Sequence, residues 1–374
     1  MRYPLSVLWA TILALFTTAI GNATAYGAPD VLDRPALMST KASTSVLLAV
    51  TSAGKRIVAV GERGIVLFSD DNGATWRQAK VPVSVTLTAV HFPIPRKGWA
   101  VGHSGIVIHT EDSGETWTRQ LDGKQAAQLV FDAVQAKTRI VKGDSEALKK
   151  QLAAAKQLVD DGADKPFLDV FFRNERSGFI VGAFNLIFRT EDGGATWQPW
   201  QDHVDNPRGL HLYGIRQVGD ELYLAGEQGA VLHSKNDGAT FVPLKSSYAG
   251  TYFGLLGTNK GGILLYGLRG NAFWSVDRGA SWRKADTGTS LSITAGGELN
   301  DGSLLLVSQA GEVLLSRDDG RSFRNVPVKD RSPLSGVAQA SDGSLVLVGA
   351  RGVSRISKPD TVADPSRKAA GGRI

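Results

Sequence analysis

The sequence predicts an all-β fold, a seven-bladed β-propeller, from two repeated patterns and the distance between their copies. One pattern is an octet, S/T-x-D/N-x-G-x-T/S-W/F, found at 69–76, 110–117, 190–197, 234–241, 275–282 and 316–323. The other runs ahead of each octet, as in AVGERGIVLFS (59–69) and LAGEQGAVLHS (224–234), and has a seventh copy, LVGARGVSRIS (347–357), with no octet after it. Its first small residue falls at Gly61, Gly102, Gly182, Gly226, Gly267, Ser308 and Gly349, at intervals of 41, 80, 44, 41, 41 and 41 residues. The interval of 80 holds one period and an insertion of 39. A period near 41 built from short β-rich runs is the mark of blades that bury their faces only against neighbours.

Along the chain, residues 1–25 read as a signal peptide: Arg2, an apolar stretch from Leu5 to Ile20, then Ala23 and Ala25 before a cut after Ala25. VLDRPALMSTK (31–41) precedes blade 1 and is the expected donor of a fourth strand to blade 7, where Pro35 is tolerable on an edge. Each blade reads as four strands, in blade 2 Thr86–Phe92, Gly98–Val101, Ile106–Thr110 and Thr116–Gln120. The turn between strands two and three carries Gly at 64, 105, 229, 270, 311 and 352, and Asn185 in blade 3, residues that accept a left-handed backbone. Within the insertion (122–163), apolar residues at 126, 129, 130, 133 and 134, then at 148, 152, 155 and 159, have helical spacing. They predict a helical hairpin between blades 2 and 3, with Asp144 or Ser145 as N-cap of its second helix. The propeller thus covers 26–357, and 358–374, charged and rich in Pro and Gly, read as a disordered tail.

Composition narrows the function. The chain has no Cys, which excludes disulfides, Cys-based metal sites and a lipid-bearing Cys. A charge of +6 is spread without Lys/Arg runs or interleaved aromatics, so nucleic acid is not an expected partner. The six histidines show no metal-ligand spacing, and no metal or other cofactor is expected. Export places the protein in the periplasm or outside the cell. In the octets, Asp71, Asp112, Asp192, Asp277 and Asp318 read as turn-fixing hydrogen-bond acceptors, with the uncharged Asn236 in the same position. Trp76, Trp117, Trp197, Phe241, Trp282 and Phe323 read as their buried anchors.

The octets are similar to Asp-boxes, the bacterial-neuraminidase repeats of sialidases, sortilins and other propellers. Paired with VGxxGxIxxT seven times over, they resemble the photosystem II stability/assembly factor family. The phrases DKPFLDVFF (164–172), DNPRGLHLYGI (205–215) and GLRGNAFWSVDRGASW (267–282) are similar to its proteobacterial branch. The resemblance implies a non-enzymatic binding scaffold. In phototrophs such a propeller binds newly inserted reaction-centre protein in the lumen, and in the other branch it is exported and associated with RND-type transporters. The partner so implied is a membrane-protein complex or a transporter component, and no small-molecule substrate is identified.

The face bearing the turns between strands two and three is the candidate docking face. The residue before each turn glycine is Arg63, Ser104, Phe184, Gln228, Arg269, Ala310 and Arg351 in blades 1 to 7. Ring closure puts Arg63, Arg269 and Arg351 on one arc. Arg208 and Arg331 enter the same face, and Tyr248 and Tyr252 flank the entry to blade 5. Arginine with tyrosine is the composition of an interface hot spot. The competing reading is a sialidase-like glycosidase or carbohydrate-binding propeller, since sialidases clamp a carboxylate with three arginines. No catalytic residues can be assigned for it: Phe92–Arg96 is a poor match to the sialidase FRIP motif, and no Tyr/Glu nucleophile pair stands out.

Overall fold

A computed structural model describes residues 30–140, 145–329 and 331–357, and all its strands lie in the unit Val31–Ile374. They form seven antiparallel meanders, six of four strands and a last one of three. Blade 1 runs Leu47–Ala53, Arg56–Gly61, Val66–Ser69 and Arg77–Gln78. Blade 2 runs Leu87–His91, Gly98–Gly102, Val107–Thr110 and Thr118–Leu121, within two residues of the sequence expectation at every end. Second strands such as GFIVG (Gly178–Gly182) and LLLVS (Leu304–Ser308) are buried along their whole length. They read as unbroken apolar runs because a neighbouring blade covers each face.

The core is accordingly divided among the seams between blades. One cluster joins blades 1 and 2 around Val58, Val60, Leu87 and Trp117, and another joins blades 2 and 3 around Trp99, Val101, Phe167 and Phe172. Further clusters follow round the ring to blade 7. Trp99 and Phe172 stack with ring centroids 3.6 Å apart. Each first strand also carries a β-bulge one residue from its start, a feature with no signal in the sequence. The bulged residues, Leu48, Thr88, Leu168, Tyr213, Phe253, Thr294 and Ser335, all line the central channel. Bulges re-aim side chains. Thr88 and Thr294 each donate their hydroxyl to a carbonyl of the next blade's first strand, Phe167 at 2.8 Å and Leu334 at 2.7 Å.

Ring closure differs from the expectation. Residues 31–41 do not complete blade 7, whose outermost described strand is Gly352–Ile356. The segment instead lies across the outside of blades 1 and 2. Ala36 N donates to Val81 O, Ser84 N to Val31 O, and Arg119 to the Leu32 carbonyl. Leu32 and Ala36 are buried in the seam between those blades, where Val81, Val83 and Val85 cover them. That apolar burial outweighs pairing with an edge strand. The ring closes mainly by packing, without a shared strand among the described residues: Val346 and Val348 of blade 7 lie against Leu47, Ile57 and Ala59 of blade 1. Arg355 Nε adds a bond to the Asn72 carbonyl.

The insertion is the expected hairpin, α1 (Gly123–Ile140) and α2 (Glu146–Asp161). The Ser145 hydroxyl caps α2 by accepting from Leu148 N, while Asp144 lies outside the described residues. Ala126, Leu129, Val130 and Leu158 pack on the seam of blades 2 and 3, and Lys137 pairs with Asp202. The segments expected to be a signal peptide (1–25) and a tail (358–374) also lie outside the described residues. Among the described residues no helix is long and apolar enough to cross a membrane.

Candidate functional site

Five of the six octets repeat one hydrogen-bond network. In the first, Asp71 Oδ1 accepts from the Ser69 hydroxyl and from Thr75 N, both at 2.8 Å, and its Oδ2 takes the Thr75 hydroxyl at 2.6 Å. The Ser69 oxygen in turn accepts from Gly73 N. The Thr75 hydroxyl and amide, then the Ser69 hydroxyl, hold the Asp71 carboxyl down at about 2, and Ser281 with Ser275 does the same for Asp277. Asp112, Asp192 and Asp318 sit in the same network. Asn236 reverses one bond, its Nδ2 donating to the Thr240 oxygen. These carboxylates are committed to their own turns. Trp117, Trp197, Phe241 and Phe323 are buried as expected, whereas Trp76 and Trp282 are only half-buried. Among the described residues no group of three His, Asp or Glu is placed to hold a metal ion.

The opposite face carries the turns between strands two and three together with the connections between blades. In blades 1 to 5 two successive turn residues are left-handed, for example Arg63 (φ 54°) before Gly64 and Phe184 (φ 54°) before Asn185. Arg351, in a tighter turn, is not. Arg63, Arg269 and Arg351 are all exposed on this face, and so are Arg208 and Arg331. Arg208 donates to the Gln228 side chain at 2.8 Å. The side chains of Arg63, Arg269, Arg331 and Arg351 make no hydrogen bond or ion pair among the described residues. Tyr252 is not a surface residue. It is 1% exposed, its ring in the seam of blades 4 and 5, because the first position of an inner strand points into that seam. Tyr248 is half-buried against it and donates its hydroxyl to the Leu268 carbonyl.

Several charges of the octet face are paired. Arg56 bridges Asp70 and Glu115, Lys97 bridges Glu111 and Glu175, and Arg278 bridges Asp220 and Glu221. Lys235, Arg317 and Arg321 of that face are nonetheless exposed without an ion pair among the described residues, so free cations stand on both sides of the ring, with Arg63, Arg269, Arg331 and Arg351 on the turn-bearing side.

Sequence reading missed a second feature of that side. Phe184 is 60% exposed at the tip of its turn and meets His211 edge-on at 4.6 Å. His211 leads to Tyr213, and Tyr213 to Phe253 at 5.6 Å. This aromatic run crosses from blade 3 to blade 5 and ends at the channel mouth. Lys165 lies over the outer face of Phe184. Phe184, the pair His211 and Tyr213, and Phe253 come from three different blades, and bulges fall at Tyr213 and Phe253.

The family model described as Photosynthesis system II assembly factor YCF48 matches residues 70–141 and 148–353. The chain is 27% identical over 128 residues to the photosystem II assembly lipoprotein Ycf48 of Synechococcus sp. (strain CC9902), covering 34% of this chain and 38% of that one. To the Ycf48 of strain RCC307 it is 38% identical over 60 residues, 16% of this chain and 18% of that one. The matched stretches span well under half the length of these relatives. Among solved structures, YCF48 bound to D1 peptide superposes with a TM-score of 0.61 at 17% identity, over 87% of this chain and 100% of that one. YCF48 from Cyanidioschyzon merolae gives 0.60 at 15% identity, over 87% and 99%. The WD40 propeller of Doa1 also gives 0.60, at 10% identity over 90% and 98%, so these likenesses speak for the fold alone. With the family model spanning five complete octets, all but the first residue of another, and six of the seven turns, the chain belongs to the photosystem II assembly factor YCF48 family.

Proposed function

We propose that the protein is an exported assembly or stability factor that docks a segment of a membrane-protein complex on its turn-bearing face. The family is one of non-enzymatic binding scaffolds, and its solved relatives include YCF48 bound to D1 peptide. The observation that carries the reading here is the company of exposed arginines and exposed aromatic surface on one face. Arg63, Arg269 and Arg351 stand there without ion-pair partners among the described residues, on the same face as the run that begins at Phe184. Unpaired arginines offer planar forks to carboxylates and carbonyls, and the aromatic run beside them offers apolar area. The partner class is an extended acidic and apolar segment of a membrane protein, with an RND-type transporter component as the specific candidate. The α1–α2 hairpin, with Ile140 exposed at the end of α1, borders the same face and extends the surface available.

A carboxylate clamp of the sialidase kind is not favoured, since none of the three arginines lines the central cavity. The test is affinity capture from solubilised membranes with wild type and Arg63→Ala/Arg269→Ala/Arg351→Ala side by side. Each arginine buried at an interface is worth about 2 kcal/mol or more, so the triple variant loses capture while its melting temperature stays unchanged. Capture by the wild type weakens as salt is raised through the screening range. Equal recovery of one partner by both proteins overturns the arginine face as the docking site.

A further inference from the structure

The cavity on the ring axis has a volume of about 480 Å³, and four polar side chains on its wall come from four consecutive blades: His91, Asp169, Arg216 and Tyr266. Tyr266 belongs to a second strand, which a first strand screens from the axis. Its register partner is Gly254, where a Cβ would stand 2.4 Å from the phenol oxygen. Only glycine at that position lets the ring reach the channel.

Each group has part of its hydrogen-bonding capacity already taken. Asp169 Oδ2 accepts from Ile215 N at 2.9 Å and from Arg216 Nη1 at 2.5 Å, and Nη1 also donates to the Ile215 carbonyl. One corner of the guanidinium is thereby locked. Nε and Nη2 have no partner among the described residues, and the side chain keeps 39% of its exposure within the channel. His91 Nδ1 accepts from Phe172 N at 3.2 Å, which puts the ring proton on Nε2. Burial, with the Arg216 charge, holds His91 neutral, at about 3. Burial pushes the Tyr266 hydroxyl up to about 12, so it keeps its proton. These four groups thus offer donors from three blades and one remaining carboxylate oxygen, Asp169 Oδ1, while Glu298, also on the channel wall, accepts from Asn259 N with both its oxygens. A ligand that accepts and does not donate matches this set.

We propose that the axial channel is a binding site for a carboxylate group, received by Arg216 Nε and Nη2 and flanked by His91 Nε2–H and Tyr266 O–H. Asp169 offsets the Arg216 charge, so affinity comes from directed hydrogen bonds in a confined space and stays modest. The carboxylate has two possible sources, a free small organic acid or the end of a peptide chain entering at the mouth. The site is separate from the exposed arginines of the docking face, and its success or failure is independent of theirs.

The experiment is ligand-observed NMR with titration on the mature chain at neutral pH. The probes are succinate and its uncharged diamide, and N-acetyl-Ala-Ala as free acid and as amide. Saturable binding by either acid, with no binding by its amide, is the expected result, and the acid that binds identifies the source. Tyr266→Phe removes one hydroxyl and weakens binding about tenfold, the worth of a hydrogen bond to a charged group. Asp169→Asn/Arg216→Gln keeps the channel neutral and abolishes binding. The triple arginine variant of the docking face binds like wild type. Should the Asp169→Asn/Arg216→Gln variant not fold, Tyr266→Phe decides alone. Absence of saturable binding by both acids, equal binding by the amides, or full affinity in Tyr266→Phe overturns the proposal.

Discussion

Gly352 of the last turn lies against the Ser43 carbonyl of the segment entering blade 1, so closely that a Cβ on it would stand 2.0 Å from that oxygen. The two residues are 309 positions apart, and their contact is part of the seam that closes the ring. Gly352 also has φ +84°. Gly302 shares its left-handed backbone, at φ +81°, but has nothing within 4 Å of the Cβ position. Gly302→Ala therefore costs backbone strain alone, about 1–2 kcal/mol. Gly352→Ala adds a clash with backbone and costs about 2–5 kcal/mol. Denaturant unfolding of the two variants checks this. Equal losses would show that the seam yields without cost.

The octet aromatics are not equivalent. Trp197, 5% exposed, stands edge-on to Phe172 in the seam of blades 2 and 3. Its change to Ala costs about 3–5 kcal/mol, as for other large aromatics removed from cores. Half-buried Trp76 loses less on the same change. Thermal unfolding that ranks Trp76→Ala as the more damaging variant would contradict the observed burial.

Acid stability follows from the octet carboxylates. Asp71 and Asp277 titrate at about 2 in the folded chain, against about 3.9 when unfolded. As pH falls, the unfolded chain takes up these protons first. The stability they contribute is complete above about pH 4 and is lost as pH falls through about 2. Asp277→Asn copies the uncharged arrangement of Asn236. It lowers the melting temperature at neutral pH, makes the decline from pH 4 to 2 shallower, and leaves little difference from wild type at the acid end. Calorimetric scans across that range measure this, and parallel curves would show that Asp277 does not contribute to the acid response.

Deleting residues 31–39 removes Leu32 and Ala36 from the seam of blades 1 and 2 and leaves the packing of blade 7 intact. Hydrogen exchange is then expected to quicken over 77–85 and 117–121 and to stay unchanged over 345–356. Faster exchange confined to 345–356 would restore the role of strand donor to this segment.

What the sequence by itself determined is local and repeated. The number of blades, the octet networks, the left-handed residue at every turn and the helical hairpin all depend on groups within a few positions of one another. For such groups residue type and spacing specify the hydrogen bond: Thr75 lies four residues from Asp71, and Asn185 stands where the other turns have glycine. The tertiary structure alone decided how the ring closes, that Tyr252 faces a seam, and that aromatics from three blades meet at the channel mouth. The sequence signalled an unfilled fourth strand but not the apolar seam where Leu32 would find more area to bury. Likewise, the channel group joins His91, Asp169, Arg216 and Tyr266, one from each of four blades, through bulges and a missing Cβ that leave no periodic trace. Closing a ring brings residues of different repeats to one axis, and that juxtaposition exists only once all seven blades are packed.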